Sequence, residues 1–175
     1  MAGAETTSRQ IVVDHIQIVC ARSFEETRAA LAAATPPLDD SVVAAMSRGD
    51  AAAVEKKEKD GPPLYVFLER DHGEILQIAG GKRNAAQYEI GNPIIAAKMT
   101  RFDLGAALYA PLRVVLIERE GGEVVFEYDR PSSLFGQFGD ERIREVGAYL
   151  DHKLDAALRE AAGLPPSRGR PGQTP

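Results

Sequence analysis

A predicted β-hairpin in the second half of the chain restricts the fold more than any other feature. Two runs rich in β-branched residues, 112–118 and 124–128, flank the turn Glu120-Gly121-Gly122-Glu123. Paired glycines between two such runs favour a tight turn and antiparallel pairing. Because an isolated hairpin is only marginally stable in water, these strands need further strands or a helix against their apolar face.

A long amphipathic helix follows the hairpin and can provide that cover. Asp140 is a favourable N-cap and Gly163 a favourable stop. Between them, apolar residues recur with the helical period and form one stripe, which should pack on the sheet. The stripe consists of Ile143, Val146, Leu150, Leu154, Leu158 and Ala161.

The remaining elements are predicted from short local patterns. Residues 11–20, 64–69 and 86–90 are rich in strand-forming residues, whereas residues 74–79 fit either a short helix or a return strand, and we favour the helix. The order of elements combines crossovers with one hairpin. We therefore predict an α+β fold, a single domain with a roughly five-stranded mixed sheet and helices packed on it.

Two helix starts have strong capping signals. Ser23 and Glu26 form the pattern of a capping box, in which each side chain bonds the backbone amide of the other residue. Asn92 is a good N-cap, and Pro93 suits the first helical position because its missing amide would have no helical partner there. Helices are thus predicted to begin after Ser23 and after Asn92.

The domain is predicted to occupy residues 11–162. Residues 1–10 are polar and are expected to form a flexible leader, and residues 163–175 are rich in proline and glycine and are expected to form a disordered tail. Residues 38–61 have the weakest apolar pattern and are predicted to be a helical insertion or mobile cover. Residues 130–139 hold two phenylalanines and two glycines and are predicted to be a long loop.

Composition excludes several classes of protein. The length of 175 residues suits one domain, and the net charge of -5 argues against nucleic-acid binding and against adhesion to anionic membranes. No run approaches the ~20 apolar residues of a membrane span. The single cysteine, Cys20, fits a reducing compartment, and the first ten residues lack a secretory pattern, so we predict a cytoplasmic protein.

The middle of the chain resembles a known family. The run Ile90-Gly91-Asn92-Pro93, the helix after it, the strand beginning Ala110-Pro111-Leu112-Arg113 and the closing hairpin are similar to the family catalogued as domain of unknown function 302. The Phe24-Glu25-Glu26-Thr27 helix and the Asp71-His72 pair lie where that pattern places them. The resemblance implies a small α+β domain, a homodimer and no agreed function. The helical segment 39–60 and the loop 130–139 depart from the pattern.

Polar groups near the Gly-Asn-Pro signature predict a small-molecule site. Phenol, amide and guanidinium groups suit an anionic or carbonyl-bearing molecule, and a helix N-terminus favours negative groups. The alternative is that the tyrosines form the rim of the core and the arginine an ion pair at the surface. The predicted ligand-binding residues are Asn92, Tyr88, Tyr109, Arg113 and Tyr128.

Two further functions remain open. His72, beside Asp71 at the end of a strand, could act as a base with a tyrosine as acid in a cofactor-free lyase or isomerase, or it could be an ordinary turn residue facing water. The protein could instead be a structural or interaction dimer with Phe135 and Phe138 buried between subunits. No nucleophile elbow, phosphate loop or dinucleotide fingerprint occurs, so no cofactor is predicted. No metal site is predicted, because the three histidines are far apart in sequence.

Overall fold

The protein has an α+β fold with a sheet of five strands, and both the fold class and the number of strands confirm the prediction. The computed structural model describes residues 5–81 and 83–167. The strands are β1 (His15–Val19), β2 (Tyr65–Asp71), β3 (Ala85–Gly91), β4 (Leu112–Glu118) and β5 (Val124–Asp129). Their spatial order is β1-β5-β4-β3-β2.

The predicted mixed sheet is corrected to an antiparallel one. Each neighbouring pair of these strands runs antiparallel, including the predicted hairpin of β4 and β5. The segments that join β2 to β3 and β3 to β4 contain short helices, yet each starts and finishes at the same end of the sheet. They therefore act as long hairpin connections and not as the crossovers that parallel strands require.

Seven α-helices occur in the described part of the chain. They are α1 (Phe24–Ala34), α2 (Asp40–Ser47), α3 (Ala51–Asp60), α4 (His72–Ile75), α5 (Pro93–Thr100), α6 (Pro131–Phe135) and α7 (Glu141–Ala161). Three 3₁₀ helices span Leu76–Ala79, Leu104–Tyr109 and Gly136–Phe138. No helix in residues 5–81 or 83–167 is long and apolar enough to cross a membrane.

The core lies between one face of the sheet and a layer made by α1, α5, α6 and α7. Along β3, Tyr88 and Ile90 are buried in this core, whereas Gln87 and Glu89 lie on the other face. The predicted stripe of α7 faces the same core, with Leu154 and Leu158 fully buried. The long amphipathic final helix is thus confirmed.

The predicted capping signals are confirmed in detail. The Ser23 hydroxyl accepts a bond from the Glu26 amide, and the Glu26 carboxylate accepts one from the Ser23 amide at 3.0 Å. The Asn92 side chain caps α5, and Asp140 caps α7. These caps supply partners for amides that the first helical turn leaves unpaired.

The predicted loop at residues 130–139 is corrected to α6 and a 3₁₀ helix. Pro131 lies at the start of α6, where its fixed φ favours a helix. Phe135 is fully buried in the protein's own core, so it is not available to a subunit interface as the interaction hypothesis required. Gly139, with φ 71°, ends the 3₁₀ helix. The glycines that suggested a loop therefore mark the end of a helical segment.

Residues 38–61 contain helices, as predicted. Val42 of α2 is buried against Tyr65 and Ile94 in a small second hydrophobic cluster. α3 has no buried residue. The segment 74–79 is also helical, within α4 and the following 3₁₀ helix. Residues 1–4 of the predicted leader and 168–175 of the predicted tail lie outside the described residues.

Candidate functional site

An apolar cleft of about 300 Å³ lies where β3 passes into α5 and where the chain enters β4. Residues 91–93 and 110–112 form this junction. One wall is the face of α5 that carries Ile95, Ala96, Ala97, Met99 and Thr100. The other walls are closed by Met46 of α2, Phe67 of β2, Phe135 of α6 and Leu150 of α7. Side chains from separate parts of the sequence thus surround one space.

Local backbone features open the cleft between these walls. At Gly91, an added Cβ would lie 3.5 Å from both the Phe67 ring and the Pro111 side chain. A Cβ would therefore fit in ordinary contact between Phe67 and Pro111, and glycine leaves that space open. Phe67 lies at a β-bulge between Val66 and Leu68, and a bulge changes the direction in which its side chain points.

Asn92 lines the cleft, but both the oxygen and the nitrogen of its side-chain amide already have partners in the protein. Its Oδ1 accepts a bond of 2.9 Å from the Ile94 amide. Its Nδ2 donates to the carbonyl oxygens of Pro62 at 3.4 Å and Pro63 at 3.3 Å. Asn92 therefore ties the loop before β2 to the start of α5. Thr100 is the other polar side chain of the lining, and no charged side chain of the described residues belongs to it.

The predicted convergence of tyrosines and arginine is wrong. Tyr88 and Tyr128 lie in one row of the sheet, on either side of Val114, and are buried beneath the helices. Arg113 precedes Val114 on the same strand, so its side chain lies on the opposite face. The sheet itself therefore separates Arg113 from the two phenols.

Tyr109 has a packing role instead. Its ring meets Phe135 edge-on at a centroid distance of 6.4 Å and Phe138 at 6.2 Å. Of the five residues predicted to bind a ligand, Asn92 is the one that lines the cleft, and Tyr88, Tyr109, Arg113 and Tyr128 do not. Met46, Phe67 and Met99 also line the cleft and were not predicted, because each has the pattern of an ordinary apolar residue in its own helix or strand.

Burial raises the pKa of the two central phenols, Tyr88 and Tyr128. Burial, reinforced by the negative charge of Asp155, raises the pKa of Tyr128 to about 12. Burial also raises the pKa of Tyr88, and the nearby Glu69 carboxylate adds to this effect. Neither hydroxyl readily loses its proton near neutral pH.

Asp71 and His72, the two residues predicted to be catalytic, have different partners in the structure. The Asp71 carboxylate accepts a bond of 2.8 Å from the Glu74 amide and so caps α4. Its second oxygen lies 3.7 Å from Arg28. The exposed His72 ring lies 3.5 Å from Gln87 on the face of the sheet opposite Tyr88. Helix capping thus takes the carboxylate that a catalytic histidine would need.

A histidine between two carboxylates was also missed. The Nδ1 atom of His15 lies 3.0 Å from Asp129, and its Nε2 atom lies 3.4 Å from Glu127. The bond to Asp129, followed by that to Glu127, raises the pKa of this exposed histidine. The alternation of Glu127 and Asp129 along β5 was the available signal.

Within the described ranges, no three His, Cys, Asp or Glu side chains are placed to hold a metal ion.

These observations define the class of protein: an α+β domain whose antiparallel sheet is covered on one face by helices, with an apolar cleft at the β3–α5 junction. The model of the family described as "Domain of unknown function DUF302" matches residues 52–161, more than half of the chain. The chain belongs to this family, and the resemblance seen in the sequence is confirmed. The β3–α5 junction lies within the matched residues, whereas Met46 precedes them.

A solved relative has the same fold. The crystal structure of an uncharacterized conserved DUF302 protein from Bacillus stearothermophilus is similar with a TM-score of 0.61 and 19% sequence identity. The similarity covers 84% of this chain and 97% of that chain. No curated protein matches the chain.

Proposed function

We propose that the protein binds a small molecule in the cleft at the β3–α5 junction. The observation that carries this proposal is an apolar space of about 300 Å³ walled by side chains from separate elements. Ligand sites are typically concave and mostly apolar, with volumes of about 300–1,000 Å³. An apolar cavity of ~150 Å³, about half the volume of this cleft, is known to bind benzene. The cleft is therefore large enough for a small organic ligand.

The geometry favours binding over the enzymatic alternative. The sheet lies between His72 and the phenols of Tyr88 and Tyr128, so His72 cannot share a substrate with either. A general acid works best with a pKa near the working pH, and burial moves both phenols away from that range. The positions of His72, Tyr88 and Tyr128 therefore do not support acid–base catalysis by these residues.

Filling the cleft should abolish ligand binding. Ala97 lines the cleft, and Ala97→Leu adds side-chain volume there. We expect the neutral probe indole to shift the NMR methyl resonances of Met46 and Met99 in the wild type, and its affinity to fall at least tenfold in Ala97→Leu. Ala156→Leu, at an exposed site of α7, is the matched control and should bind as the wild type does.

Two outcomes would contradict this proposal. Unchanged methyl resonances in the wild type would show that indole does not enter the cleft, and equal affinity in Ala97→Leu would place it elsewhere. Sedimentation of the same variants adds a further check. If Ala97→Leu converted a dimer to a monomer, a second copy of the chain and not a small molecule would occupy the cleft.

We also propose that the protein forms a homodimer. Leu104 and Leu108, on the 3₁₀ helix before β4, are 82% and 76% exposed. They are four residues apart on one short helix, and exposed apolar surface of this kind is typical of interaction sites. We expect the wild type to sediment as a dimer and the double variant Leu104→Ser, Leu108→Ser as a monomer. Val12→Ser, at an equally exposed site, should remain dimeric, and a monomeric wild type would refute the proposal.

A cytoplasmic location is proposed as well. Cys20 is the single cysteine of the chain, so no disulfide can form within it. Its thiol is half-buried, and burial raises the thiol pKa. A thiol with a raised pKa and the lack of disulfides within the chain suit a reducing compartment.

A further inference from the structure

The side chains that line the cleft offer no opposite charge to a charged occupant. Apolar side chains of six elements (α2, β2, α5, β4, α6 and α7) form most of the lining, and its two polar side chains are Asn92 and Thr100. Both amide groups of Asn92 already have partners in the protein. A charged group moved into such a space would lose its hydration without gaining a partner.

The start of α5 adds little to balance a charge. Pro93 has no amide, the Ile94 amide bonds Asn92 Oδ1, and the Ala96 amide donates to the Asn92 carbonyl at 2.9 Å, which leaves the backbone amide of Ile95 as the one remaining donor of this turn. The basic residues of the same region are also engaged elsewhere. Lys98 pairs with Glu58, and the guanidinium of Arg101 lies 5.3 Å from the ring centre of Phe102.

We propose that the ligand is an uncharged, mainly apolar molecule and that Met46 sets its upper size. This inference rests on the proposed binding function and narrows it to a chemical class. The cleft has about 300 Å³, and since benzene fits ~150 Å³, a ligand of about twelve non-hydrogen atoms matches the space. Met46 and Met99 line it, and methionine adapts its shape to different apolar partners.

Met46 can limit ligand size without holding the fold together. α2 is anchored by Val42, which is fully buried against Tyr65 and Ile94. Met46 lies one turn further along α2 and is half-buried at the wall of the cleft. Shortening its side chain therefore enlarges the cleft while the anchor of α2 stays in place.

The charge of the ligand is tested with two probes of equal chain length, 1-octanol and octanoate at pH 7. Their affinities are measured from the shift of the Met99 methyl resonance. We expect 1-octanol to bind at least thirtyfold more tightly than octanoate, and both to lose binding in Ala97→Leu. Equal or tighter binding of octanoate would overturn the inference. If indole also failed to bind, the proposed function itself would fail; if indole bound but octanoate were preferred, only the chemical class would be wrong.

The size limit is tested with the series of straight-chain alcohols from 1-hexanol to 1-tetradecanol. Affinity should rise about fourfold per methylene until the cleft is filled and then level off. In Met46→Ala we expect levelling at a chain at least two carbons longer, and in Met46→Phe at a shorter one. Val43→Ala, at an exposed site of the same helix, should leave the limit unchanged. The same limit in all four proteins would show that Met46 does not set ligand size.

Discussion

Replacing Phe135 with alanine should lower the free energy of unfolding by about 3–5 kcal/mol. Phe135 is fully buried, packs edge-on against Tyr109 and forms part of the cleft wall. Its removal takes a large apolar side chain out of the core and leaves a cavity that the rigid sheet and α7 can fill only in part. Urea denaturation, monitored by circular dichroism, measures the decrease in the free energy of unfolding.

Phe138 provides the matched control for this prediction. It lies in the same segment and contacts the same tyrosine at 6.2 Å, but it is only partly buried. We expect Phe138→Ala to cost about 1–2 kcal/mol, because less apolar surface returns to water. Similar losses in the two variants would mean that the burial of Phe135 does not anchor α6.

Replacing Gly73 with alanine should disrupt the packing of α4 against the start of β3. A Cβ at this position would lie 2.8 Å from the Arg83 carbonyl carbon, closer still to its oxygen, and 3.0 Å from the Ala85 nitrogen. These are backbone atoms, which cannot rotate away as a side chain can. Overpacking of this kind costs about 1–3 kcal/mol or more, and we expect about 2–3 kcal/mol here.

Hydrogen exchange locates this effect, and Gly81 is its control. In Gly73→Ala, the backbone amides of α4 and of the first residues of β3 should exchange faster. The amides of α7 should exchange faster only to the extent that the whole protein is less stable. A Cβ at Gly81 meets open space, so Gly81→Ala should change stability by less than about 0.5 kcal/mol. Unchanged exchange around α4 in Gly73→Ala would show that this close approach does not hold the helix.

Asn92 shows how a correct local prediction can carry an incorrect functional one. Its type and the proline after it predicted a helix cap, and the structure has that cap. The same amide was also assigned to a ligand. Because one side chain has a small number of hydrogen-bonding groups, the bonds to Ile94, Pro62 and Pro63 leave it little capacity for a bound molecule.

The elements that sequence predicted well are those whose physical causes lie within a few residues. The caps at Ser23, Asn92 and Asp140 bond amides two or three positions away. The glycine turn joins adjacent strands, and the stripe of α7 depends on its own periodicity. The signals for these interactions lie within a few neighbouring residues, so residue type and spacing were enough to predict them.

The tertiary structure decided what depends on distant neighbours. Strand direction followed from which ends of the sheet the connections reach, and the face of Arg113 relative to Tyr88 followed from register. Phe135 belongs to the core because α7 and the sheet close over its segment. The cleft unites Met46, Phe67 and Met99 across more than fifty residues of sequence, and only packing brings them together. No local sequence pattern predicts that these three side chains lie together, because each one fits the ordinary apolar pattern of its own helix or strand.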